Sequence, residues 1–364
     1  MNVFLEFAIY FAASELLLTL IQIPLRKREL TKKSRIITIV VKALLAVICA
    51  FIPMAGPVQL RFAQPFFMAM YFALFADAIA DAVYSIIICL SKKERRFAVI
   101  KSVSVLCGIL FFAYGIFNME TVKPKYHTYT SSKLESEHTI VFLADLHVGG
   151  AQPFEITEKT VNEIKGSGAD ATVLGGDIVD DYTTKEEMEA AFALFADFDT
   201  PVYYVYGNHD RQGHAEYAGG LKFTREELEK AITDNGIIIL QDEFAELAPD
   251  VLLLGREDLT EGDGRADISS LKNPAPEKYL VTIDHQPAKF KDNIAVGTDL
   301  QLSGHTHAGQ FFPLGELYSI ISYNCGDYKV KGAVMQVTPG ACGWRMPART
   351  SSHCRYEVIT LKPE

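Results

Sequence analysis

Residues 205–210 read VYGNHD. They close a β-branched and aromatic run, 202–206, that has the character of a strand, and Gly207 lets the chain turn at its end. Three polar side chains follow at once. The Asn208 amide oxygen is a donor for a hard metal ion, His209 can carry a proton near neutral pH, and Asp210 can orient a neighbouring imidazole. Gly, Asn and Asp are also ordinary turn residues, so recurrence has to lift the segment above a turn. Asp145 and His147 follow the run 140–144, GGD with Asp177 follows 171–174, His285 follows 279–283, and GHTH with His305 and His307 follows 299–302. Residues two apart in an extended segment point the same way, so Asp145 with His147, and His305 with His307, can each reach one ion.

Further strand-like runs at 237–240 and 251–254 alternate with helical patterns at 155–164, 185–195 and 225–232, the last opened by Thr224 and Glu227 at capping-box spacing. Alternation of this kind argues for α/β layers, whose ligands gather beyond the carboxyl ends of strands. Five of the nine histidines stand at such ends.

The first 120 residues are different. They carry thirteen Lys and Arg against seven Asp and Glu, a net +6, while the remainder carries 22 against 38, a net −16. Four apolar runs, 2–24, 36–57, 66–90 and 97–117, are each near the roughly 20 residues that cross a bilayer core. Four spans are therefore expected, in place of a cleavable signal peptide. LRKRELTKKSR between the first two runs and SKKERRFAVIK between the last two hold the basic residues, which puts both loops in the cytoplasm and the chain from about Glu120 onward outside it. Glu15, Lys42, Asp77 and Asp81 fall inside the runs. Lys42 is expected to pair with an acid on a neighbouring helix, as polar glue between helices. The expected divisions are a membrane region 1–120, a polar linker 121–138 and a folded domain 139–364. Cys325, Cys342 and Cys354 in that domain allow at most one internal disulfide.

The ordered set DLH, GGD, GNHD, His285 and GHTH resembles the calcineurin-like metallophosphoesterases over about residues 139–361. GHTHAGQFFPLG at 304–315 and GWRMPAR at 343–349 look like a bacterial branch with membrane-associated and exported phosphoesterases and UDP-diacylglucosamine pyrophosphatases. The resemblance implies a four-layer α/β sandwich, two mixed β-sheets flanked by helices, here preceded by a four-helix transmembrane region. It implies two divalent metal ions, manganese, iron or zinc. Asp145, His147 and His307 would hold the first, Asn208, His285 and His305 the second, and Asp177 would bridge them. His209 would then act on the leaving oxygen with Asp210 fixing its tautomer, and hydroxide between the metals would attack.

Arg211, His214, Arg345 and Arg349 are candidate substrate contacts, since guanidinium forks match phosphate. Asp180 and Asp181 are read as loop residues. A domain at −16 disfavours nucleic acid polymers, which need basic grooves. The expected reaction is hydrolysis of a phosphoester, as by a phosphodiesterase, or of a pyrophosphate, with a lipid-linked substrate preferred because membrane attachment concentrates it. The competing reading is a non-catalytic metal-binding module attached to a functional membrane domain.

Overall fold

A computed structural model describes residues 3–26, 31–55, 64–91 and 97–364. The chain divides into two units, Met1–Gly115 and Ile116–Glu364. The first is helical: α1 (Val3–Arg26), α2 (Lys32–Ala55), α3 (Gln64–Ser91) and α4 (Phe97–Met119), whose last turn belongs to the second unit. Among the described residues, Phe66–Ile87 in α3 and Ala98–Met119 in α4 are long and apolar enough to cross a membrane, so two candidate spans stand where four were expected. The apolar part of α1 stops at Phe7–Gln22, and α2 carries Lys33, Arg35 and Lys42. The loops whose basic residues set the expected orientation lie largely outside the described residues.

Polar contacts join all four helices. Lys42 Nζ lies 2.7 Å from Asp77 and 2.5 Å from Asp81, and Lys101 Nζ lies 2.8 Å from Glu15 and 3.0 Å from Asp77. Gln22 also donates to Asp77, at 2.6 Å. Lys42 thus has its partners, and Lys101, counted above with a loop, sits inside α4 as a further member. Buried charges are kept where each finds an opposite charge, which is what this cluster provides.

The second unit holds two six-stranded mixed sheets. Its elements are β1 (Lys123–Thr130), β2 (His138–Leu143), α5 (Phe154–Lys165), β3 (Ala171–Leu174), α6 (Lys185–Ala193), β4 (Val202–Tyr204), α7 (Arg225–Asp234), β5 (Ile238–Ile239), β6 (Glu243–Ala248), β7 (Val251–Gly255), β8 (Tyr279–Ile283), α8 (Phe290–Ile294), β9 (Leu300–Ser303), α9 (Leu314–Ile321), β10 (Gly326–Val330), β11 (Ala333–Val337) and β12 (Arg355–Lys362). One sheet runs β1-β12-β2-β3-β4-β5 and the other β10-β11-β9-β8-β7-β6. β2 to β5 are parallel, as are β7, β8, β9 and β11.

Alternation along the strands builds two separate cores. Ile140, Phe142, Val173 and Val205 face Leu253, Val281, Ile283 and Leu302 between the sheets. Val141, Leu143, Leu174 and Tyr204 turn the other way, onto Val161 of α5, Phe192 of α6 and Ile232 of α7. Phe290 of α8 packs with Met335 and Val337 on the far side of the second sheet. Helix, sheet, sheet, helix is the layering this produces. The Thr224 capping box forms, and Thr184 with Glu187 makes another.

The stretch 121–138, expected to be a linker, contains β1, paired in parallel with β12 along its whole length from Lys123↔Arg355 to Thr130↔Lys362. β1 is an edge strand with Lys123 and Lys125 turned out, and polar edge strands lack the apolar alternation that marks a strand in sequence. The last turn of α4 is tied to the same unit: Asn118 donates to the carbonyls of Arg349 (3.0 Å) and Ser352 (2.7 Å). Met119 packs there with Cys342 and Cys354, which, like Cys325, are free thiols.

Candidate metal centre

The parallel strands of both sheets deliver their carboxyl ends to one place. Asp145 and His147 follow β2, Asp177 follows β3, Asn208 and His209 follow β4, His285 follows β8, and His305 and His307 follow β9. Ligand atoms of Asp145, His147 and His307 lie within 4.8 Å of one another, as do those of Asp177, His285 and His305. Asp177 Oδ2 stands between the groups, 3.1 Å from His285 Nε2 and 3.8 Å from His147 Nε2. Asn208 Oδ1 closes the second group at 2.7 Å from His305 Nδ1 and 3.2 Å from His285 Nε2. The structure therefore brings together all seven donors read from the sequence.

Their backbones are strained to do this. Asp145, His147, Asp177, His305 and His307 have φ of 55°, 44°, 52°, 71° and 48°. Each non-glycine residue held in the left-handed region costs on the order of 1 kcal/mol, and such residues concentrate where the surroundings over-determine them. Close approach explains the glycines better than turning does. A Cβ on Gly207 would lie 2.2 Å from Asp177 Oδ1, and one on Gly304 would lie 2.3 Å from Asp145 Oδ2.

The ring tautomers also fit metal ions. His307 Nδ1 donates to the Cys342 carbonyl (3.2 Å), which turns its Nε2 lone pair inward, and His285 Nδ1 donates to the Gly175 carbonyl (2.8 Å), which aims its Nε2 at Asp177. His307 Nε2 then meets His147 Nε2 at 3.2 Å. Two inward lone pairs and the oxygens of two buried carboxylates share too few hydrogens to satisfy one another, and cations complete such a set. Burial, then the charges of His147 and Arg349, hold the His307 imidazole well below its ordinary value. Burial and then His285 bring His305 down to about 4. Burial would raise Asp177, but His285 and His209 outweigh it and keep the carboxyl well below the usual range. Neutral His305 and His307 rings and the Asp177 carboxylate are forms that ligate. Burial would also lower His285, but Asp177 and then Asp145 outweigh it and raise it well above its ordinary value, so this ring sheds a proton when an ion takes its place beside Asp177.

His209 lies beside this set, its ring 5.6 Å from that of His147. Burial alone would lower its pKa, but Asp177 and the hydrogen-bonded Asp181 raise it to about 9, so the ring is an imidazolium near neutral pH. Asp181 Oδ2 receives His209 Nδ1–H at 2.7 Å. This corrects the expected role of Asp210. The Asp210 carboxylate accepts instead from the backbone N–H groups of Gly207 (2.6 Å), Asp177 (2.8 Å), Ile178 (2.9 Å) and Val179 (3.2 Å), clamping the loops after β3 and β4 together. Asp180 likewise leaves the loop category, with Oδ2 facing His147 Nδ1 at 3.6 Å, both atoms buried.

The four substrate-contact candidates separate. Arg211 forms a two-pronged pair with Glu257, both bonds 2.8 Å, under the ring of Tyr206, so its fork is committed. Arg349 is fully buried and donates to the carbonyls of Pro339 (2.8 Å) and Cys342 (2.7 Å), behind His307. His214 is exposed, its ring 5.8 Å from that of His209. Arg345 is half-buried over Trp344 (4.4 Å), whose ring is 5.7 Å from that of His209. His214 and Arg345 thus border the centre, and the other two hold its frame.

Residues 138–309 match the family model described as calcineurin-like phosphoesterase. An uncharacterized metallophosphoesterase of Helicobacter pylori is 29% identical over 239 residues, covering 64% of this chain and 62% of that protein. A transmembrane protein with metallophosphoesterase domain of Danio rerio is 27% identical, over 61% of this chain and 53% of that one. An uncharacterized metallophosphoesterase of Campylobacter jejuni is 25% identical over 82% of this chain and 80% of its own length. The match spans less than two thirds of the Helicobacter and Danio proteins.

Proposed function

We propose that this chain, whose residues 138–309 match the calcineurin-like phosphoesterase model, is a membrane-anchored, dinuclear metal-dependent phosphoesterase acting on a phosphoester or pyrophosphate bond. The observation that carries the reading is the pair of three-residue donor groups with Asp177 between them. Asp145, His147 and His307 would hold one divalent ion and Asn208, His285 and His305 the other, with Asp177 available to either group. Manganese, iron or zinc there would supply an acidified water and offset phosphate charge.

The chain's own groups supply the rest. His209, charged and held at Nδ1 by Asp181, presents its Nε2–H to the leaving oxygen and gives up that proton as the ester bond breaks. Asp181 keeps the ring oriented and stabilises its charge. His214 and Arg345 stand at the rim to meet the substrate, and Trp344 walls the side next to His209. Retention of this acid and its orienting carboxylate favours a catalyst over an inert binding module, which has no use for either.

The excess of acidic residues after position 120 favours small or lipid-borne esters over nucleic acid polymers. The apolar helices support a multi-pass anchor, and the basic residues around 26–35 and 92–96 support a catalytic domain outside the cytoplasm. The test uses the purified full chain, stripped and reloaded with metal, on a nitrophenyl phosphodiester and a panel of lipid-linked esters. Hydrolysis should require the ion and stop with chelator. Asp177→Asn should lose metal and activity together, whereas His209→Ala should keep its metal and lose roughly 10²–10⁴-fold in kcat on the esters with alkyl leaving groups, with a much smaller loss on the nitrophenyl ester. A His209→Ala protein without metal but with an unchanged rate would reverse these roles.

A further inference from the structure

One short helix of the second unit is left uncovered by its own domain. Of the eight residues of α9 only Gly315 is buried, while Leu317, Tyr318, Ile320 and Ile321 are exposed, the two isoleucines at 79% and 80%. A helix of two turns has little stability of its own, and large apolar side chains gathered on a surface mark a contact.

Two observations indicate with what. The start of α9 adjoins the place where the chain leaves the apolar helix α4: Ser351 Oγ donates to Glu316 at 3.3 Å, and Asn118 in the last turn of α4 donates to the carbonyls of Arg349 and Ser352 on either side of that segment. Ala98–Met119 of α4 is long and apolar enough to cross a membrane. The end of α9 meanwhile walls a cavity of about 570 Å³ whose lining also includes Gln286, Thr306 and His305. The apolar face and a residue of the metal centre therefore share one opening.

We infer that α9 is an interfacial helix whose Leu317, Tyr318, Ile320 and Ile321 side chains seat in the headgroup and upper acyl region of a lipid bilayer. Glu316, the helix's one charged residue, stays at the end held by Ser351. This contact is independent of the hydrolytic reading.

The test places the full chain in nanodiscs of phosphatidylcholine brominated high on its acyl chains. Trp344 is the only native tryptophan and sets the background. Ile321→Trp, and separately Ile320→Trp, put a reporter on the face. Since an interfacial helix buries its apolar side about 5–10 Å deep, roughly half or more of the added emission should be quenched by bromine. Leu221→Trp, at an exposed apolar position before α7, should be quenched far less. Absence of quenching at both 320 and 321, as would follow if a second copy or a protein partner covered the helix, overturns the assignment. Equal quenching at 221 does so too, because the whole surface would then lie on lipid. Hydrolysis is not read, so an inactive chain quenched at 321 keeps its lipid contact and loses only the enzymatic reading.

Discussion

Replacing Asp181 by Asn should separate proton delivery from metal binding. In the native chain Asp181 Oδ2 accepts from His209 Nδ1 at 2.7 Å, and Oδ1 accepts from the His214 backbone N–H at 2.8 Å. The amide can keep the second bond through its oxygen, so the loop has a partner. Its NH₂ then faces Nδ1, which favours a neutral ring with Nδ1 accepting, and a neutral imidazole is a far weaker acid. A hydrogen bond to a charged group contributes about 1.5–3 kcal/mol, which converts to roughly 10- to 150-fold in rate if the whole of it is expressed in the transition state. The loss should depend on the leaving group. A nitrophenolate departs without a proton and should show a small change in kcat, whereas an alkoxide needs the proton and should show the full one. Asp181 is not among the seven donors, so metal content measured by elemental analysis should match the native chain. Equal losses for aryl and alkyl esters, or loss of metal, would refute the assignment of Asp181 to proton delivery.

Two further outcomes follow from pairs outside the donor set. Glu357 on β12 is fully buried against His127 (2.8 Å) and Arg355 (2.7 Å); burial would raise its pKa, but those partners outweigh it and hold the carboxyl below its ordinary 4.5. A depressed folded-state pKa gives stability that is present above the unfolded value and lost as pH falls through the folded one. Glu357→Gln should therefore cost about 2 kcal/mol at pH 7 by denaturant titration, with the gap from the native chain closing below pH 4.5. A gap independent of pH would point to packing alone. Arg211→Ala should leave the Glu257 carboxylate buried and short of its main partner, a loss of about 3 kcal/mol in a domain of this size, or roughly 6–12 °C in Tm. The KM for a nitrophenyl phosphodiester should not change, and a tenfold rise would return Arg211 to the substrate.

Legibility followed burial and chain proximity. β2, β3, β7 and β8 are apolar runs between turn signals, and nearly every side chain in them is buried, so composition and structure report the same fact. α5, α6 and α7 were readable for a similar reason, each carrying one face into a core. β1, β6, β10, β11 and β12 were not. β1, β6 and β10 are edge strands that expose residues, and β11 and β12, though largely buried, are interrupted by polar residues such as Gln336, Glu357 and Thr360. The partners are also remote, β1 depending on β12 more than two hundred positions later. α9 lacks a buried face, so nothing in its pattern could reveal a neighbour.

The placing of the seven candidate donors was legible in local sequence, because a side chain immediately after a strand is placed by that strand's direction, and parallel strands share it. Which carboxylate serves which ring was not. Asp210 is adjacent to His209 in the chain, yet the turn that lets Asn208 face its group points Asp210 back into the backbone amides of the β3 loop, and Asp181 arrives from β3 to take the imidazole. Arg211 and Arg349 were drawn inward by Glu257 and by carbonyls of the 339–342 loop. Side-chain type states what a residue is able to bind, while hydrogen-bond direction depends on where two loops meet: the pairing of β3 beside β4 brings Asp181 to His209, and packing of the second sheet against the first brings Glu257 to Arg211.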